Sequence, residues 1–89
     1  MSVPLEKLPN LGPRSQAMLR GAGIDSLARL AQLGSVRAYR RVKASGANAS
    51  LNLLWALEGA LTGLPWQVVA REHRTSLLLA LEQLEREDT

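Results

Sequence analysis

Glycines divide this chain of 89 residues into short segments, and most segments have the apolar spacing of a helix. Glycine favours helix ends because it adopts positive φ without steric cost. Apolar residues do not alternate with polar ones and β-branched residues are sparse, so no strand is predicted. The sequence therefore predicts an all-α fold, a compact bundle of about five short helices.

Caps and periodicity place the helices along the chain. Pro13 suits the first turn of one helix, Asp25 is the expected N-cap of the second, and Ser50 is that of the fourth. The region after Pro65 is consistent with one long helix or with two helices joined by a bend at residues 70–72. The first predicted helix begins at Pro13 and is stopped by Gly21 and Gly23, and the others cover about residues 26–32, 35–44, 51–61 and 65–85. We expect one domain over residues 1–89, with its core at about 5–84 and a frayed acidic tail at 85–89.

Several classes of function are disfavoured by composition. The chain has no cysteine, which excludes disulfides and thiolate metal sites. Its N-terminus lacks the pattern of a signal peptide, and its apolar stretches are shorter than a membrane span. The only histidine, His73, lies on an apolar stripe, and no nucleophile has a base nearby. We expect a cytoplasmic protein that is not an enzyme and that uses no cofactor, metal or membrane.

Basic residues are concentrated in the first half of the chain. Residues 1–50 carry eight Lys or Arg and two acidic residues, whereas residues 51–89 carry three and six. Four basic side chains lie on the polar side of the third predicted helix, namely Arg37, Arg40, Arg41 and Lys43. A basic face of this kind favours either a nucleic-acid partner or an acidic protein surface.

Residues 8–24 predict a tight turn that leads directly into the first helix. Asn10 tolerates a left-handed backbone, and Gly12 frees the chain just before the helix. Backbone N–H groups and the positive helix end would then point at one position, where a phosphate can bind. The alternative is a plain corner between helices. The candidate nucleic-acid contacts in this region are Lys7, Asn10, Leu11, Gly12 and Arg14.

Three residues of the second half are assigned structural roles. Glu58 shares a helix stripe with leucines, so its carboxylate is expected to be partly buried and to need a partner. Arg40, Arg41 or the N–H groups of a loop are the predicted partners. Trp55 and Trp66 are predicted to belong to the core, with a ligand platform as the second interpretation.

Two stretches resemble known families. Residues 8–15, Leu-Pro-Asn-Leu-Gly-Pro-Arg-Ser, resemble the hairpin of helix-hairpin-helix modules. A more specific pattern runs from Tyr39-Arg-Arg-Val-Lys-Ala through Leu51-Asn-Leu-Leu-Trp-Ala-Leu-Glu-Gly-Ala-Leu-Thr-Gly to Trp66. Together they resemble the C-terminal domain of the TfoX/Sxy family, bacterial regulators of competence for DNA uptake, and the resemblance covers about residues 8–81.

The resemblance implies a SAM-like, helix-hairpin-helix-containing fold. It also implies a role in switching on competence genes alongside the cAMP receptor protein, CRP. Longer family members carry a separate N-terminal α/β domain, for which this sequence has no counterpart. DNA-binding hairpins usually have glycine where this chain has Asn10, and they tend to act in pairs, whereas one hairpin is visible here.

Two functions follow from these patterns. The first is an interaction domain that acts in transcriptional activation of competence genes through a protein partner, such as CRP or the transcription machinery. The alternative is sequence-independent contact with the DNA backbone through the hairpin and the basic helix. A homodimer formed through Leu78 and Leu79 of the last helix is a further possibility.

Overall fold

A computed structural model describes residues 3–87 of the chain. These residues form a short 3-10 helix and five α-helices, and the prediction of an all-α fold is confirmed. Within this range the only extended pairing is an isolated bridge between Pro4 and Ser26, and no helix has the length and hydrophobicity needed to cross a membrane. The elements are a 3-10 helix Leu5–Lys7, α1 Pro13–Gly21, α2 Leu27–Ala44, α3 Leu51–Thr62, α4 Trp66–Glu72 and α5 Arg74–Glu87.

Helix α2 contains a sharp break at the glycine where the sequence predicts one. Gly34 has φ 79° and ψ 164°, which is not helical, so α2 consists of two helical pieces joined at this residue. The N-cap is Ser26, whose Oγ accepts a hydrogen bond from the Arg29 N–H at 3.3 Å. The prediction of Asp25 as the cap is therefore wrong by one residue.

Helix α3 is the buried centre of the fold. Leu54 and Leu57 are fully buried, and Trp55 is 3% exposed. The helix packs against α2 on one side and α4 on the other. A helix that is apolar on almost every side must be covered all round, and the neighbouring helices provide that cover.

The last part of the described chain forms two helices joined by a bend, and not the single long helix that was the other predicted alternative. Helix α4 ends at Glu72, and His73 is its C-cap, with its N–H donating to the Val69 carbonyl at 2.8 Å. Helix α5 continues to Glu87, so residues 85–87 are helical where a frayed tail is predicted. Residues 88 and 89 of that predicted tail lie outside the described residues.

Among the glycines of residues 3–87, Gly59 of α3 is the one packed closely against another stretch of backbone. A Cβ atom at this position would lie 2.6 Å from the Leu64 carbonyl oxygen, and closer still to Asn10 Nδ2. We expect Gly59→Ala to lower the free energy of unfolding by about 1–3 kcal/mol, because a backbone atom cannot move aside easily. Urea denaturation measures this change.

Gly21→Ala is the matched control for this substitution. Gly21 is also helical, but within residues 3–87 a Cβ there would meet no atom within 4 Å apart from its chain neighbours and the backbone of its own helix. Alanine has the higher helix propensity, so stability should stay the same or rise by up to about 1 kcal/mol. Equal losses in the two variants would show that the close contact at Gly59 is unimportant.

Candidate interaction surface

One side chain of the hairpin that precedes α1 forms hydrogen bonds with the turn between α3 and α4. Asn10 adopts φ 70°, the left-handed conformation predicted for it. Its Nδ2 donates to the Leu64 carbonyl at 2.9 Å, and its Oδ1 accepts from the Trp66 N–H at 3.2 Å. The amide thus pairs with a second stretch of backbone as another peptide group would. Asn10 is assigned above to a nucleic-acid contact, but its side chain faces the protein and has a structural role.

The rest of the hairpin is held by the core. Leu8 and Leu11 are buried, so Leu11 can offer a ligand only its backbone. The Leu11 carbonyl accepts from Gln16 Nε2 at 2.8 Å. Within residues 3–87, the N–H groups of Asn10, Leu11 and Gly12 form no hydrogen bond with the protein. These three N–H groups lie on a turn that is also a structural corner.

A cleft of about 460 Å³ lies between the first turns of α1 and α3 and the start of α4. Of the residues that the structure describes, Arg14 is the only charged one in the lining, and Trp66 forms part of the wall. Trp66 is 37% exposed, so its predicted place in the core is wrong. The lining consists of Asn10, Arg14, Ser15, Met18, Asn48, Ser50, Asn52, Leu53, Ala56 and Trp66.

The other tryptophan has the predicted position in the core. Trp55 is almost completely buried on α3, and the Arg74 guanidinium carbon lies 5.8 Å from its ring centroid. A cation at this distance from an aromatic face is attracted by the ring quadrupole. The contact connects α3 with the first turn of α5.

The basic side chains of α2 are partly engaged with the protein itself. Arg37, Arg40 and Arg41 line a cavity of about 260 Å³. Arg41 Nε donates to the Ala22 carbonyl at 2.9 Å, and Arg40 Nη1 donates to the Leu84 carbonyl at 3.3 Å. Lys43 Nζ lies 5.7 Å from the ring centroid of Tyr39 on the same helix.

The hairpin and the basic part of α2 form two separate positive patches. Arg14 lies in the first turn of α1, whereas Arg41 reaches Ala22 beyond the other end of that helix. Nine residues of helix separate these ends by about 13 Å. The cleft and the arginine cavity share no lining residue. Lys7 is exposed beside Glu6, which pairs with Arg20 of α1.

Glu58 has a hydroxyl partner and not the predicted arginine. Ser35 Oγ donates to Glu58 Oε1 at 2.8 Å, and Ser35 is only 5% exposed. Ser35 directly follows the break at Gly34, so the bond joins α3 to the start of the second piece of α2. The predicted clamp between helices exists, but Arg40 and Arg41 reach backbone carbonyls elsewhere.

No constellation for metal binding is found in residues 3–87, since no three His, Asp or Glu side chains converge there. His73 is half-buried at the junction of α4 and α5. Its carbonyl accepts from Ser76 Oγ at 3.1 Å and from the Leu77 N–H at 3.0 Å. These backbone contacts place His73 in the junction between the two helices.

This geometry defines a class of small helical domain. Its features are a hairpin held by the Asn10 side chain, a basic helix and a cleft with Trp66 in its wall. The sequence model of the TfoX C-terminal domain family matches residues 1–81, and the chain belongs to that family. It is 31% identical to the DNA transformation protein TfoX of Haemophilus influenzae over 94% of this chain and 39% of that protein. It is 27% identical to the DNA transformation protein TfoX1 of Aliivibrio fischeri over 83% of this chain and 36% of that protein. The chain thus spans less than half the length of these relatives.

A solved structure has the same fold. The crystal structure of an uncharacterized protein from Listeria monocytogenes matches with a TM-score of 0.79 and 30% sequence identity. The match covers 93% of this chain and 94% of that chain. The helical arrangement therefore recurs in a separate chain of nearly the same extent.

The amide of Asn10 generates a prediction about stability. Asn10→Gly suits the positive φ but removes both hydrogen bonds to the α3–α4 turn. We expect the free energy of unfolding to fall by about 1–2 kcal/mol, measured by urea denaturation. Asn10→Asp, which keeps an acceptor for the Trp66 N–H but faces the Leu64 carbonyl with another oxygen, should be no more stable than the glycine variant. A glycine variant as stable as the parent would contradict the structural role.

The contact between Ser35 and Glu58 gives a second prediction. Glu58→Gln keeps an oxygen that can accept from Ser35, so we expect stability to change by less than about 0.5 kcal/mol. Glu58→Ala leaves the buried hydroxyl without that acceptor and should cost about 1–3 kcal/mol. Thermal unfolding of both variants tests this pair. Similar losses for Gln and Ala would mean that charge, and thus an ion pair, provides the stabilisation.

Proposed function

We propose that this domain acts, without catalysis, in the control of competence for DNA uptake by docking a protein partner. Membership of the TfoX C-terminal domain family and similarity to relatives named DNA transformation proteins support a competence-related role. The family resemblance implies a transcription regulator such as CRP, or the transcription machinery, as the partner. The observation that carries the choice of protein over DNA is the position of the Asn10 amide.

The Asn10 side chain gives the hairpin a structural role. Here Asn10 is fixed between the hairpin and the α3–α4 turn, and its amide makes hydrogen bonds with both Leu64 and Trp66. These contacts favour a structural corner, which is the alternative that the sequence leaves open.

The division of positive charge also supports a protein partner. Nonspecific DNA binding uses several cations along one track, because each neutralised phosphate contributes to affinity. Arg40 and Arg41 donate to carbonyls of this chain, and the patch on α2 is separated from Arg14 by the length of α1. This arrangement supports a localised contact with a protein over a continuous track along DNA.

Direct contact with the DNA backbone is the second candidate function. One observation favours it: within residues 3–87 the N–H groups of residues 10–12 have no protein partner, and Lys7 and Arg14 lie close to them in the sequence. Such contacts would position the protein on DNA without reading its bases.

A titration with duplex DNA separates the two candidates. If the domain acts through a protein, we expect a dissociation constant for an arbitrary duplex no tighter than about 10⁻⁴ M at physiological salt. Fluorescence anisotropy over a salt series measures it. Tight binding with a log–log salt slope of roughly −4 to −5 would contradict the protein-docking proposal.

Two variants identify the surface if binding is found. Gly12→Val obstructs the hairpin, and within residues 3–87 no atom beyond its two chain neighbours lies within 4 Å of the added Cβ. Combined Arg37→Ala, Arg40→Ala and Arg41→Ala removes the patch on α2 and leaves the hairpin intact. Loss of binding in the first variant assigns the contact to the hairpin, and loss in the second assigns it to α2.

The competence role is tested by replacement in a relative. A chimera carries this chain in place of the matching part of the Haemophilus influenzae protein, in a strain that lacks the native gene. We expect competence-gene transcripts and DNA uptake to be restored to a measurable level. A chimera that accumulates as a folded protein but restores neither contradicts the proposed function.

A further inference from the structure

The cleft between α1, α3 and α4 presents an aromatic side chain to solvent. Trp66 is among the few large apolar residues that are exposed in residues 3–87. Met18, Leu53 and Ala56 extend its apolar surface into the cleft. Tryptophan is enriched among the residues that dominate protein interfaces, because it buries a large area at little entropic cost.

The electrostatic character of the cleft is positive. Among residues 3–87, Arg14 is the one charged residue in its lining, and none of the acidic residues in this range contributes to it. Within residues 3–87 the Arg14 guanidinium forms no ion pair or hydrogen bond. The remaining polar lining residues are neutral amides and hydroxyls, namely Asn10, Ser15, Asn48, Ser50 and Asn52.

The cleft is organised before any ligand binds. The Trp66 backbone is fixed by its hydrogen bond to Asn10 Oδ1, and the Leu64 carbonyl is fixed by Asn10 Nδ2. Leu53 and Ala56 belong to the buried helix α3. A preformed site binds more tightly than a flexible one because less conformational entropy is lost on association.

We propose that this cleft docks an extended acidic segment of the protein partner, with a carboxylate on Arg14 and a large apolar side chain against Trp66 and Met18. The inference rests on the proposed function, because it specifies the surface and the chemistry of the partner. Arginine forms strong charge-assisted hydrogen bonds with carboxylates, and asparagine amides can both donate to and accept from a peptide backbone. A nucleic-acid strand has a phosphate at every nucleotide and is held by several cations, whereas this cleft has one.

The two tryptophans make the test direct. The chain contains Trp55 and Trp66 only, so a ¹⁵N–¹H spectrum has two indole cross-peaks, and the buried Trp55 is an internal reference. The probes are blocked hexapeptides of repeated Asp-Leu, with repeated Asn-Leu and Lys-Leu as matched controls, and a single-stranded oligonucleotide of six thymidines. We expect the Asp-Leu peptide to shift the Trp66 indole and the Arg14 amide, with little change at Trp55.

Substitution of the cleft arginine gives the quantitative result. Arg14→Gln should weaken binding of the Asp-Leu peptide roughly tenfold, to the level of the Asn-Leu peptide. Arg37→Gln is the matched control, since Arg37 is an exposed arginine outside the cleft, and it should leave the affinity unchanged. Trp66→Leu should weaken both the Asp-Leu and the Asn-Leu peptide.

Several results would overturn the assignment. They are equal binding of the Asp-Leu and Lys-Leu peptides, no shift at about 1 mM peptide, or shifts that map outside the cleft. Tighter binding of the thymidine oligonucleotide at the same cross-peaks would assign the cleft to nucleic acid.

The chimera in the Haemophilus influenzae protein separates this inference from the proposed function. If the unmodified chimera restores DNA uptake and its Arg14→Gln form does so equally, the cleft is not the docking site although the function stands. If the unmodified chimera fails, the function is wrong, and the peptide titration still decides whether the cleft binds an acidic segment.

Discussion

The hydrogen bonds of the Asn10 side chain connect parts of the chain that lie more than fifty residues apart. They join the hairpin before α1 to the turn between α3 and α4, and thereby fix the angle at which α4 leaves the buried helix. The exposure of Trp66 and the shape of the cleft both depend on that turn. A residue that resembles a ligand contact in the sequence therefore determines the geometry of the surface beside it.

Positive charge in this domain has two different uses. On α2, Arg40 and Arg41 satisfy backbone carbonyls at the ends of α5 and α1, so part of their hydrogen-bonding capacity stabilises the fold. Arg14 has no such partner within residues 3–87. Arg14 and Trp66 line the same cleft. A single cation of this kind suits one carboxylate, whereas a basic helix suits an extended polyanion.

Local backbone rules make much of the fold predictable from the sequence. The contacts between distant residues are not predictable in this way. The glycine breaks at 34 and 63, the left-handed Asn10 and the buried α3 follow from sterics and apolar spacing. The prediction of a core position for Trp66 is wrong because helical periodicity assigns a face but not the depth of a short helix at the edge of the bundle. The bond from Ser35 to Glu58 could not be foreseen, since a serine after a helix break has no sequence signal that names its acceptor.

The close packing at Gly59 makes two positions of the sequence interdependent. Any side chain at position 59 would occupy the space taken by the Asn10 amide and the Leu64 carbonyl. Substitution at position 10 by a smaller residue would remove one of these two neighbours and leave the other. In related chains, asparagine at position 10 should therefore accompany glycine at position 59. Alanine at position 59 should be tolerated only where the asparagine is missing and the turn has moved. The residue at position 10 of the hairpin and the residue at position 59 of the central helix are thus expected to change together.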